Sequence, residues 1–418
     1  MNDITEAKNK STKMVRGLFI GDGVTPTGFS TVNHNILDNL NLNKYDIHHL
    51  AVNYFGDPHS YKHKIYPAAL PNQVIKGDLL GYGRLKDFVA MDFDFIYILN
   101  DIWVVSKYLE VIKQEWGKVN KAIPKIIVYY PVDGSGYDRA WYRNFDIVDK
   151  IVVYTEFGKR VTLAVYPEAE SKLVIIPHGA TDKKSFYPLD GTLEEIKTRE
   201  FKVKPELADS FIVLNANRNQ PRKRIDISLL GFALFAQDKP DNVMYYHHAG
   251  IKDVGWNIIE LIKRIQTEIG INLEKRLILS NAEMKNQAVP MEHLNRIYNS
   301  TDVGINCSLG EGWGLIQTEH ASLGKPQIVG DHSACSELFS DVGLLIPVVQ
   351  TVRDIQTLTE RCFVSAEGLA EQLNKLYNSP ELYEELSQKS IEKFSQPYYD
   401  WANVAKMWEK LFDEVINA

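Results

Sequence analysis

Residues 303–330 read VGINCSLGEGWGLIQTEHASLGKPQIVG, and this stretch has the pattern of one strand–helix–strand unit. The apolar run VGINCS predicts a buried strand, and LGEGWG predicts a tight glycine-rich loop. LIQTEHASLG then predicts a helix, and PQIVG predicts the next strand. Continuous apolar runs of this kind suit strands that are buried on both faces, so the stretch predicts a parallel sheet flanked by helices.

The same alternation recurs along the chain. The strand candidates are RGLFIG, YDIHHLAV, DFIYIL, KIIVYY, KIVVYT and LVIIP in the first part, and FIVLNA, NVMYYHH, RLILS, VGINCS, PQIVG and GLLIPV in the second. Between them lie helix candidates with apolar residues three and four positions apart, such as WVVSKYLEVIKQEW and WNIIELIKRIQTEI. The repetition predicts an α/β protein of two Rossmann-like, doubly wound domains that face each other across a cleft.

A charged stretch, DGTLEEIKTREFKVKPELADS, separates the two sets of strands. It predicts an N-terminal domain at residues 1–190 and a C-terminal domain at residues 200–395. Residues 396–418 are helix-like with no strand after them, and we expect them to pack back on the first domain. Ligands of open α/β sheets bind at the carboxyl ends of the strands, so the chemistry is expected in the cleft.

Composition narrows the classes of partner. The chain has 418 residues, 44% of them hydrophobic, and a formal net charge of −7, which disfavours a broad electrostatic surface for nucleic acid. Its three cysteines show no metal-like pairing and predict a reducing compartment. The polar start and the lack of a long apolar run predict a cytoplasmic protein without a membrane span. Peripheral association with a membrane stays open.

Two loops are candidates for binding an anion. GDGVTPTGFS, residues 21–30, follows the first strand, and Ser30 or Thr31 could cap a helix that begins near Val32. Its spacing differs from the dinucleotide fingerprint, so it is either a phosphate or substrate loop or a plain turn. ANRNQPRKRID, residues 216–226, places four cations at the start of a predicted helix. Each cation there opposes the helix dipole, which costs a few tenths of a kcal/mol of stability. That cost predicts a bound anion, and solvated surface charge is the alternative.

Within the opening stretch, Glu311 lies on the loop and Glu319 lies in the helix. Gly312 and Gly314 permit a close approach of the backbone to a ligand, with amides at the helix start turned toward it. Two carboxylates so placed can accept hydrogen bonds from two hydroxyl-rich parts of one ligand. An ordinary loop and helix start is the alternative interpretation.

These residues carry a resemblance. EGWGLIQTEHASLGKPQIVGDHSACSELF, residues 311–339, resembles the signature of the family-four, or group 1, glycosyltransferases, with Trp313 in place of phenylalanine and Glu337 closing it. VIIPHGATDKKSFYP and PYYDWANVAKMWEKL resemble further family segments in the expected order. The resemblance implies the GT-B fold and transfer of a sugar, with retention, from a nucleotide-diphosphate-sugar donor. It implies no cofactor, because the donor is itself a substrate.

The resemblance also implies roles by position. Glu311 would bind hydroxyls of the transferred sugar, and Glu319 would bind the ribose. Arg218 and Lys223 would neutralise the diphosphate. The donor contacts would be completed by Gly28, Gly312, Trp313, Gly314 and Leu315, with Gly28 beside the phosphates or the acceptor.

Two departures from the family pattern leave roles open. The spacing from Arg218 to Lys223 is one residue short, so Arg224 is the alternative partner. Asp133 stands where a histidine is expected, and it would either contact the donor sugar as a catalytic residue or simply form an Asx turn. The base pocket is expected near LSNAEMKN, residues 279–286.

The sequence offers no convincing DxD placement and no His-rich ligand set, so no metal is expected. It contains no assignable nucleophile either, which favours a front-face mechanism. The acceptor stays open among glycans, lipids, proteins and small molecules, with nucleic acid least favoured. The rival functions are a non-catalytic sugar-nucleotide or glycan-binding module and a sugar-nucleotide epimerase of the same fold.

Overall fold

The computed structural model describes residues 14–181, 184–201, 205–251, 253–280 and 289–418. They form two parallel sheets, each flanked by helices, which confirms the predicted α/β class. We call the part that holds the first sheet the N-terminal half and the part that holds the second sheet the C-terminal half.

In the described residues the N-terminal half has a seven-stranded sheet of order β3-β2-β1-β4-β5-β6-β7, parallel throughout. Its strands are β1 (Val15–Asp22), β2 (Tyr45–Val52), β3 (Lys64–Pro67), β4 (Phe95–Leu99), β5 (Lys125–Tyr129), β6 (Lys150–Val153) and β7 (Leu173–Ile175). Its helices are α1 (Gly28–Asn39), α2 (Pro71–Ile75), α3 (Ile102–Lys118) and α4 (Glu156–Val165). Strands β2 and β3 are added on one side of β1, and β4 to β7 are added on the other side. A doubly wound fold has its binding crevice at this switch between β1 and β4.

The C-terminal half follows α5 (Leu193–Glu200) and repeats this winding. Its described strands form a six-stranded parallel sheet of order β10-β9-β8-β11-β12-β13. They are β8 (Phe211–Asn215), β9 (Val243–His247), β10 (Leu277–Leu279), β11 (Val303–Asn306), β12 (Gln327–Gly330) and β13 (Leu344–Ile346). The helices are α6 (Ile225–Ala236), α7 (Ile258–Ile269), α8 (Met291–Asn299), α9 (Leu315–Ser322), α10 (Ser333–Phe339), α11 (Ala366–Tyr377) and α12 (Pro380–Phe394). An antiparallel hairpin of β14 (Val348–Arg353) and β15 (Glu360–Val364) is added after β13.

Burial explains why the apolar runs become strands. Every residue of β4 is fully buried, because helices cover both faces of the sheet. A surface helix such as α7 buries a single stripe, formed by Ile258, Ile262 and Ile265. All twelve strand candidates are strands, whereas β3, β14 and β15 were not predicted.

The last helix, α13 (Trp401–Asn417), packs against α1 and the first sheet. Trp408 and Phe412 are fully buried, and the Phe412 ring stacks on Phe95 with centroids 4.6 Å apart. Lys44 binds Asp413 at 2.5 Å on the same interface. The C-terminal segment therefore completes the core of the N-terminal half, while the exact domain boundaries stay predictions.

Candidate active site

The carboxyl ends of the strands of the two sheets face each other where α1 and α9 begin. A Cβ on Gly28, the first residue of α1, would lie 3.9 Å from the Leu315 side chain at the start of α9. Gly314 precedes α9 with a φ of 95°, in the left-handed region that glycine adopts readily. The structure thus brings Gly28, Gly314 and Leu315 together from opposite halves, so the free amides of two helix N-termini converge on one cleft.

The first helix begins earlier than its sequence predicts. Thr27, rather than Ser30 or Thr31, caps α1, because its hydroxyl accepts the Ser30 N–H at 3.1 Å. The Ser30 hydroxyl instead donates to the Gly23 carbonyl. This arrangement fixes the loop of residues 23–27 against the end of β1.

Glu311 is the centre of the site in the C-terminal half. It lies on the loop of residues 309–314, which we call the EGWG loop, and its side chain is only 7% exposed. Its carboxylate accepts hydrogen bonds from the Lys223 ammonium, from Asn306 Nδ2 at 3.0 Å and from the Ser308 hydroxyl at 2.8 Å. The Arg222 guanidinium lies 3.8 Å away. A buried carboxylate with this many donors is held in one position.

Electrostatics keep this carboxylate ionised. Burial alone raises the pKa of Glu311, but Lys223, Arg222 and the donated hydrogen bonds lower it to about 2. The negative charge is therefore present at every physiological pH. It can accept hydrogen bonds from sugar hydroxyls, provided that they approach beside Lys223.

The four cations of residues 218–224 point in different directions. Arg218 is half exposed and forms a two-point ion pair with Asp253 at 2.8 and 3.1 Å. Arg224 has a left-handed backbone, pairs with Asp226 and lies over the Phe363 ring at 4.4 Å. Of these four cations, Arg222 and Lys223 are the ones whose side chains contact the EGWG loop in the part of the chain that the structure describes. The structure therefore places Lys223, and not Arg224, beside Glu311.

Glu319 lies behind the EGWG loop, in the second turn of α9. The Tyr298 hydroxyl of α8 donates to its Oε2 at 3.2 Å, and its side chain is buried. Tyr298 in turn stacks on Phe186, with ring centroids 5.3 Å apart. Glu319 is thus held on the C-terminal half, on the helix that begins at Gly314.

The tryptophan of the EGWG loop has a packing role. Trp313 is 4% exposed, and its ring lies against His178 and Tyr399 at centroid distances of 5.4 and 6.1 Å. Its side chain is thus packed between the halves, and its role as a donor contact stays a prediction. Gly312 allows close approach of the halves, because a Cβ there would lie 2.9 Å from Pro131.

Asp133 lies across the cleft but binds a protein cation. Its carboxylate pairs with Arg361 of β15 at 2.6 Å, and the same guanidinium donates to its carbonyl at 2.9 Å. A Cβ on Gly310 would lie 1.8 Å from that carbonyl oxygen. Arg361 is thus the partner of the Asp133 carboxylate in this structure, and the catalytic role of Asp133 stays a prediction.

The β14–β15 hairpin closes this side of the cleft. Ser135 forms a backbone bridge with Glu360, and its hydroxyl donates to the Glu360 carboxylate at 2.8 Å. On the C-terminal side, the Cys362 N–H donates to the Leu309 carbonyl at 3.0 Å. The hairpin therefore ties the EGWG loop to the loop after β5.

Comparisons with known proteins bear on this geometry. No protein-family model matches the chain, and no curated protein does either. Solved structures do match. Sucrose-phosphate synthase from Thermosynechococcus elongatus superposes with a TM-score of 0.69 at 15% identity, over 97% of this chain and 100% of that one. HepE from Anabaena, in complex with UDP and glucose, superposes with a TM-score of 0.66 at 14% identity, over 96% of this chain and 100% of that one. A glycosyltransferase from Rickettsia africae superposes with a TM-score of 0.66 at 13% identity, over 97% of this chain and 99% of that one.

The chain has the GT-B fold. At these identities the likeness extends to the fold, which agrees with the resemblance to group 1 glycosyltransferases. Gly28 and Leu315 face each other across the GT-B cleft, and the Lys223–Glu311 pair lies at the loop just before Leu315.

Sequence reasoning missed three residues of the GT-B cleft, Arg361, Gly310 and Asp101, and it gave Arg222 no role beyond its place among the four cations of residues 218–224. Arg361 is a further cation of the cleft, and Gly310 packs tightly against the other half, because a Cβ there would lie 1.8 Å from the Asp133 carbonyl oxygen. Asp101 follows β4 directly, and burial raises the pKa of its carboxyl to about 7, with a further increase from Asp133 that Arg222 and Arg361 only partly offset. Its position at the carboxyl end of a central strand was a signal that could have identified it.

The remaining expectations from the sequence concern a metal site, a membrane span and the base pocket. Within the described ranges, no group of three or more His, Cys, Asp or Glu is arranged for a metal ion. No helix in that part of the chain is both long and apolar enough to cross a membrane. Most of LSNAEMKN, from residue 281 onward, lies outside the described residues, so the expected base pocket stays a prediction.

Proposed function

We propose that this protein is a retaining glycosyltransferase that moves a sugar from a nucleotide-diphosphate donor to an acceptor hydroxyl. The observation that carries the proposal is the convergence of Lys223 and Arg222 on Glu311, directly before the N-terminus of α9 and opposite Gly28. Cations and helix amides at one point suit a diphosphate, and a fixed carboxylate beside them suits the hydroxyls of the attached sugar.

These groups suit the charge that develops during glycosyl transfer. When the bond from the anomeric carbon to the diphosphate oxygen breaks, both electrons leave with the diphosphate. Prearranged cations and amides stabilise that charge and can lower the barrier by several kcal/mol. Lys223, Arg222 and the amides around Gly314 and Leu315 take this role, with Arg218 available from the more exposed part of its loop once it leaves Asp253.

We assign the other residues by the same logic. Glu311 binds the transferred sugar, and Glu319 binds the ribose with Tyr298 holding its carboxylate in place. The acceptor hydroxyl attacks the anomeric carbon from the face that the diphosphate leaves, and its proton passes to the departing phosphate oxygen. This front-face route keeps the configuration of the sugar and uses no metal. HepE was solved with UDP and with UDP-glucose, so UDP-glucose is the first donor to test.

A thermal-shift panel of nucleotide sugars tests donor binding, because a ligand raises Tm in proportion to RT ln(1 + [L]/Kd). We expect one donor to raise Tm well above the others and to be hydrolysed slowly. NMR of the product should show the anomeric configuration of the donor, and EDTA should leave turnover unchanged. A donor that binds without turnover would indicate a binding module, and a changed sugar released without transfer would indicate an epimerase.

A further inference from the structure

The cleft edge of the N-terminal half is acidic. The last residue of β1, the loops after β1, β2 and β4, and residues 130–143 after β5 contain five aspartates, one lysine and two arginines. The aspartates are Asp22, Asp57, Asp101, Asp133 and Asp138, and the cations are Lys62, Arg139 and Arg143, of which Arg139 pairs with Glu168. In the C-terminal half, by contrast, the cleft carries Arg222, Lys223 and Arg361. A second substrate that lies against the N-terminal half therefore meets carboxylates first.

Of the three aspartates nearest the centre, Asp101 is the one still free to bind a ligand. Asp22 accepts hydrogen bonds from Thr27 and Asn53, and Asp133 is bound by Arg361. Asp101 immediately precedes α3, but its side chain makes no capping bond, and no other described group donates to it. It interacts electrostatically with Arg222 and Arg361 from the opposite half, so its carboxylate lies between the halves.

An aromatic row begins on α3, the helix that directly follows Asp101. Trp103, two residues further along, is 37% exposed, and its ring centroid lies 5.5 Å from that of Trp141. Trp141 contacts Tyr137 at 5.2 Å, and the Tyr137 hydroxyl donates to the Pro131 carbonyl. The row thus runs from the start of α3 to the loop that bears Asp133. Exposed aromatic faces pack well against the apolar face of a ring, and a carboxylate accepts hydrogen bonds from its hydroxyls.

We propose that Asp101, Trp103 and Trp141 form the acceptor subsite, and that the acceptor is a neutral carbohydrate rather than a phosphorylated one. The sugar ring packs on the tryptophans while two of its hydroxyls donate to Asp101. A phosphate in this subsite would face like charge from Asp22, Asp101 and Asp133. The inference rests on the proposed function and names the acceptor class for the same cleft.

A stability measurement separates binding from a structural role. A carboxylate that is buried without hydrogen bonds opposes its own ionisation, so Asp101→Asn should raise Tm at pH 7.5. Asp57→Asn makes the same charge change at an exposed position of the same edge and should leave Tm within about 1 °C. A structural role for Asp101 would give the opposite sign, since removing a stabilising group lowers Tm.

Transfer assays test the subsite itself. With the donor that gives the largest thermal shift, release of its nucleoside diphosphate would be measured alone and with maltose, octyl maltoside or glucose 6-phosphate. We expect maltose or octyl maltoside to accelerate release and glucose 6-phosphate to have no effect. The comparison of maltose with octyl maltoside distinguishes a free sugar from one carried on a lipid.

The variants complete the test. Asp101→Asn and Trp103→Ala should lower kcat/KM for the neutral acceptor at least tenfold while keeping the donor-induced rise in Tm. The controls Asp57→Asn and Phe55→Ala, an exposed aromatic of the same edge, should retain wild-type transfer. The inference is overturned if glucose 6-phosphate is the better acceptor, if no neutral sugar accelerates release, or if both variants transfer normally. Failure of the proposed function is recognised separately, because then no donor raises Tm, or a donor raises Tm but is neither hydrolysed nor used for transfer.

Discussion

Glu337 lies on α10 in the C-terminal half, yet its two carboxylate oxygens accept the backbone N–H groups of Glu156 at 2.9 Å and Phe157 at 2.7 Å. These are the first two residues of α4 in the N-terminal half. A side chain of one half thereby caps a helix of the other, and its negative charge complements the positive end of the α4 dipole. The glutamate that closes the family-like signature is thus a link between the halves.

Removing this link should loosen the two halves. We expect Glu337→Ala to destabilise the protein by about 1 kcal/mol, the usual value of a helix cap, and to lower kcat. Differential scanning fluorimetry and steady-state assays would measure both. The control Glu385→Ala removes an exposed carboxylate of α12 that pairs with Lys389 of the same helix, and it should have almost no effect on either measurement. Equal losses in both variants would contradict the capping role.

The pair of Lys223 and Glu311 should be costly to break from one side. We expect Glu311→Gln to destabilise the fold by about 3–5 kcal/mol, because a buried ammonium loses its carboxylate. Turnover should fall as well. The double variant Lys223→Met/Glu311→Leu should recover much of the stability but none of the turnover, as urea unfolding and donor hydrolysis would show. Full stability in Glu311→Gln would mean that the pair is not buried in solution.

The same pair gives a defined acid dependence. The pKa of Glu311 is about 2 in the folded protein and near 4.5 in an unfolded chain. A depressed folded pKa means that the stability contribution is present above the unfolded pKa and is lost as pH falls toward 2. The difference in Tm between wild type and Glu311→Gln should therefore shrink steadily from pH 5 downward. A difference that stays constant with pH would assign the effect to packing instead.

Acceptor binding should also depend on pH, but near neutrality. Burial and the nearby Asp133 raise the pKa of Asp101 to about 7, so this carboxyl becomes protonated just below neutral pH. If the ionised form accepts the acceptor's hydroxyls, KM for the acceptor should rise as pH falls from 8 to 6. Kinetics of Asp101→Asn should lack that inflection while keeping the pH dependence of donor hydrolysis.

The tight packing of Gly310 against the loop after β5 gives a steric prediction. Gly310→Ala would place a methyl group 1.8 Å from the Asp133 carbonyl oxygen, so one of the two backbones must move. We expect a lower Tm and a loss of at least tenfold in transfer. Gly117→Ala is the matched control, because its Cβ meets no atom within 4 Å and alanine favours a helix. Wild-type activity in Gly310→Ala would show that the cleft tolerates a wider opening.

The fold was largely predictable because its signal is local. Each long apolar run, such as FIYIL in β4, has to be buried on both faces, and that requirement alone indicates parallel strands. The missed strands carry weaker signals. β3 has only four residues, none of them buried, and β14 is mostly exposed, so neither shows a continuous apolar run.

The site was predictable in its members but not in their pairing. The sequence predicts that Glu311 and Lys223 lie at strand ends, and the sheet topology brings them together. It does not indicate that Asp253 binds Arg218, that Arg361 binds Asp133, or that the Trp313 ring turns inward. These contacts join residues far apart in the chain, and they depend on how two halves dock.

The position of α13 has a consequence for biosynthesis. Phe412 contacts Phe19 of β1, which lies nearly four hundred residues earlier in the chain. Phe412 and Trp408 also cover Phe95 and Tyr97 of β4, which lie about three hundred residues earlier. Until residues 401–417 leave the ribosome, those rings stay exposed to solvent, and exposed apolar surface promotes aggregation with other nascent chains. The N-terminal half should accordingly depend on a chaperone during translation, and a ribosome stalled before residue 401 should hold it in an aggregation-prone state.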